Sequence, residues 1–167
     1  MASMPNLDQP APPSTVVFSN DLSDTLGIGH DLAQILEPGD LVCINGPLGA
    51  GKSELCRAII RARVGDPHLE VPSPSYTLVN VYEHEDIQIW HADLYRVGDE
   101  SELDEIGLED AVGSALVLVE WPDRWPGLPP RRLEITIQPT GADQRRLTFD
   151  PVGADWDALG GYLKGSA

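Results

Sequence analysis

Basic residues are scarce in this chain: 11 Lys and Arg stand against 27 Asp and Glu, a formal net charge of −16 over 167 residues. So anionic a surface repels a polyphosphate backbone, which excludes autonomous RNA or DNA binding unless the few cations gather in one place. They do not: Arg57/Arg61/Arg63, Arg131-Arg132 and Arg145-Arg146 are the densest groups, and none makes a patch. Cysteine is sparse too. Cys43 and Cys56 are the only two; their spacing fits no metal-binding pattern, and both read as small buried apolar residues. No secretory-signal core and no apolar run long enough to cross a membrane occurs, so a soluble protein of the cytoplasm is expected. Nor is there an internal repeat or a domain linker.

What is present centres on Gly46-Pro-Leu-Gly-Ala-Gly-Lys-Ser53. The apolar run Leu41–Ile44 precedes it and a segment of helical periodicity follows, giving the strand–loop–helix context in which G-x-x-x-x-G-K-[ST] binds phosphate. Gly46, Gly49 and Gly51 permit positive φ, so that successive N–H groups turn inward on one anion. A helix starting near Lys52 adds the positive end of its dipole. Lys52 is then placed to reach the β- and γ-phosphates and the Ser53 hydroxyl to sit on Mg²⁺, with Leu48, Gly49, Ala50 and Gly51 supplying the rest of the cradle. No Asn-Lys-x-Asp sequence of the guanine-reading kind occurs, which favours adenine and hence ATP.

In chain order, residues 1–13 are rich in Pro and Ala and read as a flexible leader, and residues 14–167 as one domain. Thr15–Phe18 is β-prone. Ser19, Asn20 and Asp21 offer N-caps for a helix to about Leu36, whose stripe includes Leu22, Leu26, Ile28, Leu32, Ala33 and Leu36. Thr25 lies in its first turns. The helix after the loop runs from Lys52 to about Val64, stopped by Gly65-Asp66-Pro67. Val71–Thr77 holds two prolines and several hydroxyls, a loop of restricted shape. Its hydroxyls, Thr77 among them, suit a switch-like segment reaching the γ-phosphate or metal; solvated hydroxyls in a linker are the alternative. Leu78–Tyr82 and Ile87–His91 predict a strand pair, Asp99 caps a helix carrying Leu103, Ile106 and Val112, and Ala115–Val119 is a strand covered on both faces. Leu133–Ile137 and Arg146–Phe149 pair across a Gly141 turn, and a helix from about Asp155 buries Trp156, Leu159 and Leu163. The fold class is α/β: a single phosphate-loop NTPase-like domain whose mixed sheet, a parallel core with antiparallel strands, is flanked by helices.

A phosphate loop needs an acid at the end of a neighbouring buried strand to hold magnesium. Glu120, after an unbroken apolar run, has the better strand. Asp93 is the second candidate: it orients the attacking water or a metal-bound water, or it pairs with Arg96. His91 suits a hydrogen-bonded structural histidine; Trp121 packs near the nucleotide or a partner, or in the core, the usual place of an isolated Trp. Arg96 and Arg124 could neutralise transition-state charge, though a surface ion pair is the commoner fate of an arginine.

Several segments together carry a family resemblance. Gly46–Ser53, Ser73-Pro-Ser-Tyr-Thr-Leu-Val79, His91-Ala-Asp-Leu-Tyr-Arg96, Glu105-Ile-Gly-Leu-Glu109 and Leu118-Val-Glu-Trp-Pro122 follow in an order that resembles the bacterial TsaE (YjeE) ATPases of tRNA threonylcarbamoyladenosine synthesis. That resemblance spans about Ser19 to Phe149. It implies a compact ATPase that works with TsaB and TsaD to modify adenosine 37 of tRNAs reading ANN codons, meeting tRNA only through that complex. It also implies magnesium positions at Ser53 and Glu120, phosphate contacts from Leu48 to Ser53, a functional acid at Asp93 and a nucleotide-side threonine at Thr25. Lys52, Asp93 and Glu120 are accordingly the expected catalytic residues. The chain departs from the family at Pro47, where an acid is common, and at Ser53, where threonine is common. Two other readings compete: a small-molecule kinase, which needs an acceptor pocket and usually an arginine-rich lid, and a nucleotide-gated scaffold without turnover. No feature of the chain fixes an oligomeric state.

Overall fold

The computed structural model describes residues 10–166, so most of the expected leader lies outside the described residues. Residues 10–14 carry no regular structure. The elements that follow are β1 (Thr15–Ser19), α1 (Leu22–Ile35), β2 (Leu41–Asn45), α2 (Lys52–Val64), β3 (Val79–His84), β4 (Ile87–Asp93), α3 (Glu100–Ile106), α4 (Leu108–Ala111), β5 (Leu116–Glu120), a 3₁₀ turn (Pro122–Arg124), β6 (Arg132–Pro139), β7 (Arg145–Val152) and α5 (Asp157–Ser166). No helix among the described residues is long and apolar enough to cross a membrane.

The strands form one seven-stranded sheet in the order β1-β7-β6-β2-β5-β4-β3. Its centre, β6-β2-β5-β4, is parallel, while β7, β1 and β3 join antiparallel at the two sides. The parallel strands need covering on both faces, and the burial follows that need. Val42 and Ile44 of β2, Leu116 and Leu118 of β5 and Ile87 and Ile89 of β4 pack on one face with α1, α2 and α5. Leu41 and Cys43, Val117 and Val119, and Ala92 point the other way, towards α3, α4 and Trp125. The alternation continues to the strand ends. His91, Asp93 and Glu120 share the parity of Ile89 and Leu118, so all three side chains emerge on the face that α2 covers.

Helix boundaries follow local chemistry. Of the three cap candidates for α1, Asp21 takes the role: its Oδ1 accepts from the Asp24 N–H at 2.9 Å. At Gly29 a Cβ would collide with Ala58, so glycine lets α1 and α2 approach closely there. Leu22 and Leu26, expected on the buried stripe, remain 55% and 41% exposed; the stripe buries Ile28, Leu32 and Ala33, and the two leucines face grooves beside α2 instead. The helix expected to run from Asp99 past Val112 is two helices, because Gly107 has φ +79° and ends α3 before α4 begins. β6 and β7 are longer than their alternating cores, and β7 tolerates Pro151 because β1 pairs it only as far as Phe149.

Candidate functional site

The loop between β2 and α2 adopts positive φ at Gly46, Gly49 and Gly51, +156°, +77° and +104°. Gly46 has a second reason to be glycine, since a Cβ there would approach the Ile137 carbonyl within 2.7 Å. Gly51 caps α2 without a side chain, leaving the helix N-terminus open to an incoming anion. Arg145 braces the loop from outside: its Nε donates to the Ala50 carbonyl at 2.8 Å. Leu48 stands 70% exposed at the crest, whereas Ala50 is fully buried.

Lys52 is the first residue of α2 and is 5% exposed. Its Nζ donates to the carbonyls of Gly46 and Pro47, each at 2.8 Å, and lies 4.3 Å from the Trp121 ring centroid. Burial lowers its pKa from the usual lysine value, and the nearby charges of Glu120 and Asp93 oppose that shift. Among the described residues it makes no ion pair. Next to it the Ser53 hydroxyl donates to Glu120, at 2.9 Å to Oε1 and 3.1 Å to Oε2. Glu120 is 2% exposed and also accepts from His91 Nε2, at 2.7 Å to Oε2.

Asp93 ends β4 opposite Glu120 in the parallel register. Its Oδ1 accepts from the Tyr95 N–H at 3.0 Å and its Oδ2 from the Ser75 hydroxyl at 3.3 Å. Arg96 does not pair with it; the guanidinium lies 4.5 Å from the Tyr76 ring centroid. Arg124 stays at the surface beside Asp123, 3.9 Å away. Trp121 follows Glu120 in a left-handed conformation, φ 58° and ψ 54°, which costs a bulky residue strain of the kind that gathers at functional sites. That turn brings its ring against Tyr95, 4.8 Å between centroids, as well as against Lys52.

These groups line a cleft of about 300 Å³ in front of the loop, where Lys52, Ser53, Asp93 and Glu120 meet Ser73 and Ser75. A second cleft of about 100 Å³ lies behind Ala50 and Gly51, walled by Leu22, Thr25, Ile137 and Arg145. Thr25 reaches it although 7% exposed, its hydroxyl sharing a 2.7 Å hydrogen bond with Ser19. A roomier groove, about 540 Å³, lies between α1 and α2, but its lining of Leu26, His30, Ala58 and Arg61 gathers no acid and hydroxyl.

Of the expected nucleotide contacts, Leu48 to Ser53 and Thr25 lie on the two clefts, and so do Asp93 and Glu120. Thr77 does not. Its hydroxyl donates outward to Asn80 Oδ1 at 2.9 Å, and the hydroxyls that the proline-rich loop turns to the cleft are Ser73 and Ser75. Of the two places the sequence leaves open for Trp121, the core or the surroundings of the nucleotide, the ring takes the cleft, against Lys52. His91 is the hydrogen-bonded histidine the sequence suggests, and its partner is the acid that matters most. Ser53 and Glu120 form an all-oxygen donor pair of the kind Mg²⁺ takes, so the residues present fit that ion.

Known proteins resemble this chain in sequence and in fold. The family model "Threonylcarbamoyl adenosine biosynthesis protein TsaE" matches residues 19–147. A Bacillus subtilis tRNA threonylcarbamoyladenosine biosynthesis protein TsaE is 34% identical over 81% of this chain and 85% of its own length. The corresponding Rickettsia felis protein is 38% identical over 64% of this chain and 61% of its own length. With the Rickettsia conorii protein, 39% identical, the match likewise spans 58% of that relative. Among solved structures, YdiB of Bacillus subtilis superposes with a TM-score of 0.75 at 26% identity, covering 95% of this chain and 98% of that one.

Proposed function

The chain belongs to the TsaE family, and from that premise we propose that it is the Mg²⁺-dependent ATP-binding and ATP-hydrolysing component required for threonylcarbamoylation of adenosine 37 in tRNAs reading ANN codons, acting with TsaB and TsaD. One observation carries the nucleotide reading: Lys52 is a buried cation at the floor of a glycine loop, held by two backbone carbonyls and the Trp121 ring and, among the described residues, without a carboxylate partner. A buried ammonium in that setting is completed by a polyanion.

The roles follow from position. Lys52 exchanges its loop carbonyls for β- and γ-phosphate oxygens, and the N–H groups of the loop and of the α2 N-terminus close on the same phosphates. Ser53 and Glu120 hold Mg²⁺, which when bound supplies neutralisation of the charge that develops on the transferred phosphate. Asp93, already oriented by the Tyr95 N–H, presents its other oxygen to the attacking water. Leu22, Thr25 and Ile137 offer the adenosine an apolar wall with one buried hydroxyl behind the loop.

Neither Arg96 nor Arg124 lines the phosphate cleft, so no arginine within the described residues stands ready to stabilise the transition state. Phosphate-loop domains without one hydrolyse on the order of 10⁻⁴ per second, and an arginine supplied from outside adds up to about 10⁵-fold, about 7 kcal/mol of barrier. Hydrolysis by the isolated chain is therefore expected to be slow and to rise strongly with TsaB and TsaD. The net charge of −16 makes tRNA a poor direct ligand. Phosphate release with and without the partners, alongside a tRNA gel shift of the isolated chain, tests this. Full activity alone with tight, salt-sensitive tRNA binding would refute it.

A further inference from the structure

We propose that His91 is a positioning residue: by holding one oxygen of the Glu120 carboxylate it aims the other at the cleft and thereby sets the site's affinity for the divalent ion. This rests on the reading of Ser53 and Glu120 as the metal pair, and concerns a side chain that does not itself line the cleft.

The geometry around Glu120 is asymmetric in one respect only. The Ser53 hydroxyl lies almost equally far from both carboxylate oxygens, 2.9 and 3.1 Å, so it does not decide which of them faces an incoming ion. His91 does decide, since Nε2 donates to Oε2 alone, at 2.7 Å. With Oε2 tied back into the sheet, Oε1 is the oxygen left to the cleft. Glutamate has three rotatable side-chain bonds, and Glu120 is the last residue of its strand. Without the ring, the one hydrogen bond that fastens that carboxylate among the described residues is from the Ser53 hydroxyl, which it must share with the ion.

His91 is also an expensive residue for its place. It is 1% exposed, and its second ring nitrogen, Nδ1, is buried with no hydrogen-bond partner. Ile87 and Ile89 precede it on the same face of β4, and Leu118 stands opposite it on β5. The Cys56 sulfur lies within 4.8 Å of a ring nitrogen of His91 and a carboxylate oxygen of Glu120, and gives Nδ1 no hydrogen bond. An aliphatic side chain would fill the position and leave no buried nitrogen unsatisfied. A local violation of packing chemistry beside a functional acid is the signature of a residue kept for the site and not for the fold.

Three variants separate these roles. In His91→Leu the donor is gone. In His91→Gln the amide nitrogen stands roughly where Nε2 stood. In His91→Asn it reaches only the Nδ1 position. Mn²⁺ binding to the ATP-loaded chain would be followed by electron paramagnetic resonance, ATP affinity without metal by calorimetry, and folding by thermal melting. His91→Leu is expected to fold but to melt somewhat lower, because a buried carboxylate oxygen loses its donor, and to bind metal-free ATP equally well. Its Mn²⁺ affinity should fall about 10- to 100-fold, the range for losing a partner of a metal ligand. His91→Gln should recover most of that affinity and His91→Asn should not. Unchanged Mn²⁺ affinity in His91→Leu overturns the inference; should that variant not fold, glutamine no better than asparagine does so. The natural protein is titrated first: absence of Mn²⁺ binding there overturns the metal reading itself, whereas binding that survives in His91→Leu overturns only the role of His91.

Discussion

Two clefts share Ala50, Gly51 and Glu54 and differ in the rest of their lining. The front cleft lies at the carboxyl ends of the parallel strands β4 and β5, which deliver Asp93 and Glu120, and it is floored by Lys52 and Ser53. The rear cleft is walled by α1 and the antiparallel β6–β7 pair, which deliver Leu22, Thr25, Ile137 and Leu147. One gathers Lys52, two acids and several hydroxyls; the other sets the aliphatic side chains of Leu22, Ile137 and Leu147 and the Thr25 hydroxyl beside the charged Glu54, Asp143 and Arg145. The loop thus stands between a surface suited to phosphate and metal and one suited to a base and its sugar. Parallel strand ends collect ligand groups because all such strands end at one edge of the sheet, so the residues at and just after their last positions converge there. An antiparallel hairpin and an amphipathic helix instead contribute the apolar faces they would otherwise bury.

The strongest way to break this contrast is Lys52→Ala. Two charge-assisted hydrogen bonds at about 1.5–3 kcal/mol each predict a loss of about 1000-fold in ATP affinity, about 4 kcal/mol. Calorimetric titration reads it directly, and unchanged affinity would mean that the front cleft is not the phosphate site.

Next in size is Asp93→Asn. The amide oxygen still accepts from the Tyr95 N–H, so the loop keeps its shape while the negative oxygen is lost. Turnover should drop about 100-fold, the lower end for a general base, with ATP affinity preserved. Single-turnover hydrolysis beside equilibrium binding checks the split; a variant that hydrolyses at the natural rate leaves Asp93 a purely structural acceptor for Tyr95.

A smaller effect sharpens the contrast from the other side. Leu22 is 55% exposed, so Leu22→Glu costs the fold little but places a carboxylate against the rear cleft. ATP affinity should fall about 10-fold, about 1.4 kcal/mol, while inorganic tripolyphosphate binds as before. Equal losses for both ligands would show that the two clefts do not divide the nucleotide between them.

Much of this arrangement is written locally. Gly46, Gly49, Gly51, Lys52 and Ser53 announce a phosphate loop because backbone freedom, a cation and a hydroxyl must sit at fixed spacing along one turn, and spacing along a chain is visible in it. Glu120 was legible for a similar reason, as an acid closing a strand apolar on both faces. Gly107 was a helix stop within an otherwise helical pattern, and it was read through because glycine is tolerated inside helices often enough. That Ser73 and Ser75 face the cleft and Thr77 does not was not legible, because composition says that a loop has hydroxyls but not which way each one turns.

What the sequence by itself determined is therefore the phosphate loop, the alternating strands and the acids at their ends, all of which depend on residues within a few positions of one another. The tertiary structure alone decided the rest. Pairing β4 with β5 in register sets Asp93 beside Glu120 and His91 beside Leu118, and the shared parity of those strands turns the histidine onto the acid. The left-handed turn at Trp121 lays an indole against Lys52, and the approach of α1 to α2 carries Thr25 to the rear cleft. These contacts join segments tens of residues apart, and they exist only because burying both faces of one sheet leaves its strands and helices few other ways to meet.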